Sequence, residues 1–375
     1  MLGVVMRTVF VVGTRGIPDV EGGAEKNAER LFPLIVQRGW RVIVGGLRPN
    51  IKTPTYRGVE LWAAPTSNLL KTDKLLYYVR AVLHAIKLKP DIVHFQELGS
   101  AIFLFFYKLL GCRIVVRYGS ADYLLPKWGL IGRLGFRLAE YQLRFADAVI
   151  VVTPALADRL KERGVRNNVH VIANAIDARS EFEEGHVPEV KRPYILAVGR
   201  VTIQKNFHRL IEGFRIFADR HPDVTLVIAG GIDDERYVNA EIVPLLDDRV
   251  EMLGRLPRSA MGGLYERASL YVNSSIHEGS SNAVLEAVSW NCPILLSDIP
   301  ENRDFGLDND NYFAAEDPVA VAEALGRAYE NQDAYRTPKG PFPVWEDVAW
   351  ETDRIYTMLC TPEVPAKAVV EQPAV

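Results

Sequence analysis

The sequence predicts an α/β protein of two doubly wound parallel-sheet domains in tandem, facing a cleft. Three observations carry this. The chain has 375 residues, more than one typical domain holds. Short, nearly continuous apolar runs alternate with stretches of helical periodicity, as expected for parallel strands covered on both faces. The alternation halts at a polar, acidic stretch from Arg179 to Arg192 and then begins again, which marks a linker.

The first domain is expected over residues 1–180. Thr8 to Val12 is its opening strand, followed by Gly13 and a loop carrying Gly16, Pro18, Gly22 and Gly23. Ala28, Leu31, Phe32 and Ile35 recur at helical spacing up to Gly39. Further strands are expected at Arg41–Val44, Ile92–Phe95, Ile114–Val116, Ala148–Val152 and Val169–Ile172, with helices between them. The run from Ala101 to Leu110 is too short to span a bilayer and reads as a buried helix.

The second domain is expected over 190–343. Its strands are Tyr194–Val198, Thr225–Ala229, Val250–Leu253, Leu270–Asn273 and Pro293–Ser297. Phe207 to Arg220 is a helix with Leu210, Ile211, Phe214 and Phe217 inward. These strands run into small or polar residues, and ligands of open α/β sheets bind beyond the carboxyl ends of strands. One more helix is expected over 344–359. The tail, 360–375, lacks periodicity and is expected to be disordered.

Composition is that of a globular protein, 48% hydrophobic and 24% charged. Cys112, Cys292 and Cys360 form no CxxC pair and sit in apolar contexts, so buried free thiols in a reducing compartment are expected. Arg7 interrupts the first apolar stretch, so no signal-peptide layout is present, and Met6 is an alternative first residue. A cytoplasmic protein is expected. Residues 1–180 hold 26 Lys+Arg against 14 Asp+Glu, whereas the remainder holds 18 against 33. A basic first half suits an anionic partner such as lipid headgroups or a lipid-diphosphate acceptor, or simply attracts the acidic second half. Lys127, Arg133, Arg137 and Arg144, interleaved with Trp128, Leu130, Ile131, Leu134 and Phe136, suit peripheral contact with the inner face of a membrane.

The segment His277–Ala287 is the most informative for chemistry. Glu278 and Glu286 flank the small, polar turn Gly279-Ser280-Ser281-Asn282. Such a turn leaves N–H groups free at a helix start, where they hold a sugar or phosphate. Glu286 lies among Val284, Leu285, Ala287 and Val288, where a carboxylate needs a hydrogen-bonding partner; ribose hydroxyls would serve. Glu278 would contact a donor sugar. Arg200 and Lys205 follow the strand Tyr194–Val198. Fixed cations there stabilise a departing diphosphate, by roughly 3–4 kcal/mol for one well-placed donor. The site therefore suits a sugar joined to a nucleoside diphosphate.

The glycine loop holding Gly22 and Gly23 lacks the G-x-G-x-x-G pattern, and the strand at Arg41 leads to no ribose-binding acid, which disfavours an NAD-dependent oxidoreductase. The loop instead faces a diphosphate or acceptor, with Glu25 and Arg15 as acceptor-side candidates. His94 either orients a donor sugar hydroxyl or is a core histidine. Asp122 either acts as a base or acceptor contact or caps its loop. No His, Asp, Glu or Cys grouping has metal-ligand spacing. No cofactor and no metal are expected, and no nucleic-acid partner.

Together, Gly22-Gly23-Ala24-Glu25, Gly199-Arg200 with Lys205-Asn206, and the E-x7-E spacing of Glu278 and Glu286 resemble the family 4 glycosyltransferases of GT-B fold. Gly254-Arg255, Pro293, Ser297-Asp298 and Asn302-Arg303 also match. The resemblance implies two Rossmann-like domains, a last helix crossing back to the first domain, and metal-independent, retaining transfer from a nucleotide-sugar. It implies that Arg200 and Lys205 stabilise the diphosphate, Glu286 binds ribose, Glu278 faces the sugar, and the backbone of Arg255 and Leu256 frames the base. Many members carry His-Gly or His-Asp where Tyr118-Gly119 stands here. The opening Val12-Gly13-Thr14-Arg15-Gly16-Ile17-Pro18 resembles a bacterial subgroup with rhamnosyltransferases of capsule and exopolysaccharide assembly. A nucleotide-sugar epimerase on the same fold and a non-catalytic nucleotide-sugar-binding protein are the rival expectations.

Overall fold

A computed structural model describes residues 6–20, 22–65, 73–120, 129–166, 168–177, 179, 186–336 and 342–361. The first sheet is built from β1 Thr8–Val12, β2 Arg41–Leu47, β3 Thr55–Tyr56, β4 Val59–Ala64, β5 Ile92–Phe95, β6 Arg113–Tyr118, β7 Ala148–Val151 and β8 Val169–Val171. Its order is β3-β4-β2-β1-β5-β6-β7-β8, parallel except for the β3–β4 hairpin. The second is built from β9 Tyr194–Val198, β10 Thr225–Ala229, β11 Val250–Gly254, β12 Leu270–Asn273, β13 Ile294–Ser297 and β14 Tyr312–Phe313. Its order is β11-β10-β9-β12-β13-β14, and every pairing is parallel.

Both sheets are covered on both faces, which is why their strands are apolar throughout. Phe10, Val93, Phe95 and Val116 join one core of the first domain, while Val9, Val11, Ile92 and Val115 join another on the opposite face. Ile195, Leu226 and Leu295 against Tyr194, Leu196 and Leu296 repeat the arrangement in the second domain. The expected strands are all present. Those not anticipated are two edge strands of two residues each, β3 and β14, and β4 next to β3, which carries Glu60, paired with Arg41 through two bonds of 2.7 and 2.9 Å.

The helix Trp345–Cys360 does cross back to the first domain. Trp345, Val348, Ala349, Ile355 and Tyr356 enter the core that also holds Leu31, Phe32 and Ile35. Trp40 Nε1 donates to Asp353 at 2.7 Å and closes that seam. Residues 180–185 of the expected linker and 362–375 of the expected tail lie outside the described residues. Cys112 and Cys292 are buried free thiols; Cys360 is half-buried. Burial pushes the Cys112 thiol up to about 11 and the Cys292 thiol to about 12.

The run from Ala101 to Leu110 departs from expectation. It is a 3-10 segment, Leu98–Phe103, leading into a short helix, Leu104–Leu109. Leu104 and Tyr107 are buried, but Phe105, Phe106, Leu109 and Leu110 face outward. Flanking helices expose apolar stripes of their own at helical spacing. These are Leu75, Val79, Leu83 and Ile86 on Asp73–Leu88, and Leu130, Leu134 and Leu138 on Leu130–Gln142, continued by Tyr141 and Phe145. Arg133, Arg137 and Arg144 are exposed beside the last stripe. Lys127 and Trp128 lie outside the described residues. Among the described residues no helix is long and apolar enough to cross a membrane.

Candidate functional site

The site forms where the carboxyl edge of the second sheet meets the first domain. After β9, the chain passes through Gly199 at φ +154°. A Cβ there would stand 2.8 Å from Lys205 Cε, so the glycine leaves a channel for the lysine stem. A 3-10 turn, Ile203–Lys205, ends at Asn206 in the left-handed conformation, pinned by its amide to the Ala315 carbonyl at 2.8 Å. Lys205 is thereby aimed across the sheet edge, and its Nζ donates to Glu278 Oε1 at 2.5 Å.

Glu278 is 6% exposed. Its Oε1 also accepts from Ser275 Oγ at 2.7 Å and Asn273 Nδ2 at 3.3 Å. Burial alone would raise its pKa; the Lys205 ammonium and these hydrogen bonds outweigh burial and hold the carboxyl below the usual glutamate range. Among the described residues Oε2 has no protein donor. Arg200 does not join this group. It is half-exposed, and its Nη1 donates to Asp233 at 2.8 Å beside the loop after β10.

Gly279 packs directly on the first domain: a Cβ at that position would collide with the Gly119 carbonyl oxygen. Asn174 Nδ2 donates to the Ser280 carbonyl at 3.3 Å from the same side. The helix Asn282–Ser289 follows. Its N-cap, Ser281, makes no side-chain cap bond, because its Oγ faces Asn273 Nδ2 instead. Among the described residues the N-cap thus offers the first-turn N–H groups no side-chain acceptor. Gly23 lies opposite: a Cβ on it would stand 3.4 Å from Asn282 Nδ2.

Glu286 Oε1 accepts from Lys26 Nζ at 2.7 Å, and Oε2 from Tyr265 OH at 3.0 Å. Lys26 belongs to the first domain, on the helix Gly23–Gln37. Its Nζ also lies 2.8 Å from Asp177 Oδ2. Asp177 is fully buried and receives, besides Lys26, Arg258 of the second domain, Arg30 of the first and the Trp345 indole N–H. Burial would raise the Asp177 pKa; Lys26 and Arg258 more than reverse this and hold it low. Burial would lower that of Lys26, but Glu286 and Asp177 raise it overall.

Four expectations need correcting or restating. His94 is wholly buried between Phe32 and Tyr356, with its Nδ1 2.5 Å from the Tyr356 hydroxyl. Burial takes its pKa down to about 3, so it is neutral, and its surroundings match the core-histidine alternative. Glu25 is also buried, and its Oε1 accepts from the Arg15 backbone N–H and Nε at 3.0 and 3.1 Å. A buried carboxylate needs donors, and Glu25 finds them in its own loop instead of in an acceptor. Gly22, at φ +137°, leaves room for that carboxylate. Leu256 turns its side chain into the second core, while Arg255 beside it is exposed. Asp122 lies outside the described residues.

Lys26, Asp177, Tyr265 and Arg117 were missed by the sequence reading. Arg117 is buried, its pKa lowered to about 10 by burial, and it donates to Asn174 Oδ1 at 2.7 Å. It holds the amide that holds Ser280. The signal was the polar pair Asn174 and Asp177 around two apolar residues at the domain junction. Tyr118 turns into the first core, and its hydroxyl bonds Glu140 at 3.0 Å. A cavity of about 740 Å³ lies at the amino edge of the first sheet among Arg7, Lys89, Asp91 and Arg113. That is the edge away from the ligand side of such sheets.

Two open, largely parallel sheets face each other, with the Lys205–Glu278 pair at the carboxyl edge of the second. Comparisons with known proteins give the class. Residues 21–180 match the family described as Glycosyltransferase Family 4, and residues 178–339 match Glycosyl transferases group 1. The chain is a family 4 glycosyltransferase of GT-B fold. It is 23% identical over 361 residues to the phosphatidylinositol N-acetylglucosaminyltransferase gpi3 subunit of Schizosaccharomyces pombe, covering 91% of this chain and 78% of that one. It is 27% identical over 173 residues to mannosylfructose-phosphate synthase of Agrobacterium fabrum, 41% of this chain but only 38% of that protein. Among solved structures, sucrose-phosphate synthase from Thermosynechococcus elongatus superimposes with a TM-score of 0.77 at 18% identity, covering 94% and 99% of the two chains. Anabaena Alr3699/HepE, solved with UDP and glucose, gives 0.70 at 16%, covering 94% and 95%.

Proposed function

We propose that this enzyme transfers a sugar, with retention, from a nucleoside diphosphate sugar to a lipid-linked or oligosaccharide acceptor in bacterial cell-surface glycan synthesis. The observation that carries the reading is the Lys205–Glu278 pair at the sheet edge, one helical stretch away from Glu286. In this reading the diphosphate lies over Lys205 and the uncapped N–H groups at Asn282. Glu286 takes the ribose and Glu278 Oε2 takes a sugar hydroxyl. Arg200 exchanges Asp233 for a phosphate oxygen. The bond from the sugar anomeric carbon to the diphosphate breaks, the acceptor hydroxyl oxygen bonds that carbon, and its proton leaves with the diphosphate. Fixed cations neutralise the leaving group, so the reaction proceeds without a metal. That Anabaena Alr3699/HepE was solved with UDP supports a nucleotide donor.

The acceptor reading is supported by the first domain. Leu130, Leu134, Leu138, Tyr141 and Phe145 form an outward stripe edged by Arg133, Arg137 and Arg144, next to the exposed Phe105, Phe106 and Leu109. An apolar stripe with basic flanks suits an anionic membrane surface from which a lipid acceptor is drawn.

The test is product analysis. The protein is incubated with UDP-, GDP- and dTDP-sugars and an anionic polyprenyl-phosphate-linked acceptor, with and without EDTA. Free nucleoside diphosphate with glycosylated lipid is expected in both. An isomerised nucleotide-sugar with no glycosylated product would overturn transfer in favour of epimerisation. Equal sedimentation with neutral and anionic vesicles would end the membrane reading.

A further inference from the structure

We propose that Lys26 is a positioning residue for the donor ribose, supplied by the opposite domain, and that it makes ribose recognition depend on domain closure. This rests on Glu286 being the ribose carboxylate. Three observations carry it.

The first is the count of acceptor positions. A carboxylate offers about four lone-pair directions over its two oxygens. Lys26 Nζ uses one on Oε1 and Tyr265 OH uses one on Oε2. One direction remains on each oxygen, which is the number that the two hydroxyls of a ribose require. Lys26 therefore does not compete with the nucleotide. It holds the carboxylate in one orientation and leaves one direction on each oxygen for a diol.

The second is where Lys26 comes from. Glu286 and Tyr265 both belong to the second domain, but Lys26 sits one turn into the Gly23–Gln37 helix of the first. The neighbouring backbone carries the domain contacts at Gly23 and Asn282. An open enzyme would leave Glu286 with Tyr265 alone.

The third is that Lys26 is itself fixed. Asp177, fully buried at the domain junction, takes the amine at 2.8 Å and is in turn bound by Arg30, Arg258 and the Trp345 indole. The ammonium is thus anchored on a residue next to which both domains and the crossing helix meet. Lys26 and Asp177 both lie in the first domain, so the bond by which the lysine reaches across to the second is the one to Glu286.

The experiment compares UDP, GDP and ADP, each beside its 2′-deoxy form, by calorimetric titration of the full-length wild type, Lys26→Met and Lys26→Arg; the base that binds tightest is carried forward. Hydrogen bonds to charged groups are worth about 1.5–3 kcal/mol, or roughly a 10- to 100-fold preference for the ribonucleotide in the wild type. Lys26→Met is expected to weaken the ribonucleotide about 10-fold, leave the deoxy form within about 2-fold, and so erase most of the preference. Lys26→Arg is expected to restore most of it. Equal losses for both nucleotides would show a purely structural strut and overturn the proposal. Tighter binding by Lys26→Met would make the lysine a competitor and overturn it too. A wild type that binds but does not discriminate would instead remove Glu286 as the ribose carboxylate, and the proposal with it. Melting curves establish that each variant is folded, and Lys26→Gln replaces Lys26→Met in the same comparison if the latter does not fold.

Discussion

At the carboxyl edge of the second sheet, Lys205, Glu278, Asn273 and Ser275 form one hydrogen-bonded group turned toward the cleft. At the same edge of the first sheet, His94 and Tyr118 turn inward and Glu25 bonds its own loop. Two sheets of the same construction thus end in opposite ways. The second presents preorganised charge, which electrostatic catalysis requires. The first presents glycines and backbone carbonyls, Gly119 and Gly23 among them, which let the other domain approach closely. In the proposed reading the second side carries the chemistry, and the first supplies shape, closure, the positioning Lys26 and the outward apolar face.

Breaking the chemical side should cost most. Lys205→Ala is expected to lower kcat for sugar transfer about 100- to 1000-fold, in line with loss of one preorganised donor, and to lower the melting temperature as well, because it leaves Glu278 buried without its cation. Arg200→Ala, which removes a half-exposed residue paired with Asp233, is expected to cost visibly less. Equal effects would erase the distinction drawn between the two cations. The shape side is tested by Gly279→Ala. Its Cβ would meet the Gly119 carbonyl, so closure should be hindered and kcat should fall roughly 10- to 100-fold, as for an overpacked contact worth about 1–3 kcal/mol. Nucleoside diphosphate affinity should fall far less, as measured by titration. An unchanged kcat would mean that catalysis does not use this contact.

The outward face comes next. Replacing Arg133 and Arg137 with Gln should weaken sedimentation with anionic vesicles by about 1 kcal/mol per residue and leave transfer to a water-soluble acceptor intact. The smallest effect is expected at the crossing helix. Tyr356→Phe removes the hydroxyl that meets His94 and should cost roughly 1 kcal/mol of stability with kcat unchanged. A large loss of kcat there would return His94 to the catalytic set.

Acid should also divide the two sides. Glu278 and Asp177 both have folded pKa values below the usual carboxylate range. The unfolded chain therefore binds more protons in that window. Their stabilisation is complete above the unfolded glutamate value of 4.5 and is lost as pH falls through the depressed folded values. Melting temperature should drop steeply below that point, and Lys205→Met should flatten the drop because Glu278 loses the partner that lowers its pKa.

Much of this was legible in the sequence. Apolar runs such as Ile195–Val198 and Thr225–Ala229 announce buried parallel strands, and Glu278 and Glu286 stand out as acids amid small or apolar neighbours. What stayed hidden depended on distance in space. Lys26 looks like an ordinary first-turn lysine until the fold brings it to Glu286, 260 residues away. Asp177 gains its meaning only from three cations on two helices, Lys26 and Arg30 on one and Arg258 on the other. His94 sits at the end of a strand, where a site residue is expected, and only Tyr356, 262 residues later, closes over it. The Ala101–Leu110 run shows the converse. Its hydrophobicity suggested burial, yet half of it faces outward beside other apolar stripes. Hydropathy records what a side chain avoids, and not whether water or another surface is what it meets.

The most direct test of the central claim is a crystal structure with a bound nucleoside diphosphate. The pyrophosphate should lie within hydrogen-bonding distance of Lys205 Nζ and the N–H groups at Asn282, with both ribose hydroxyls on Glu286. A ligand seated elsewhere, with Lys205 still turned to Glu278 alone, would contradict it.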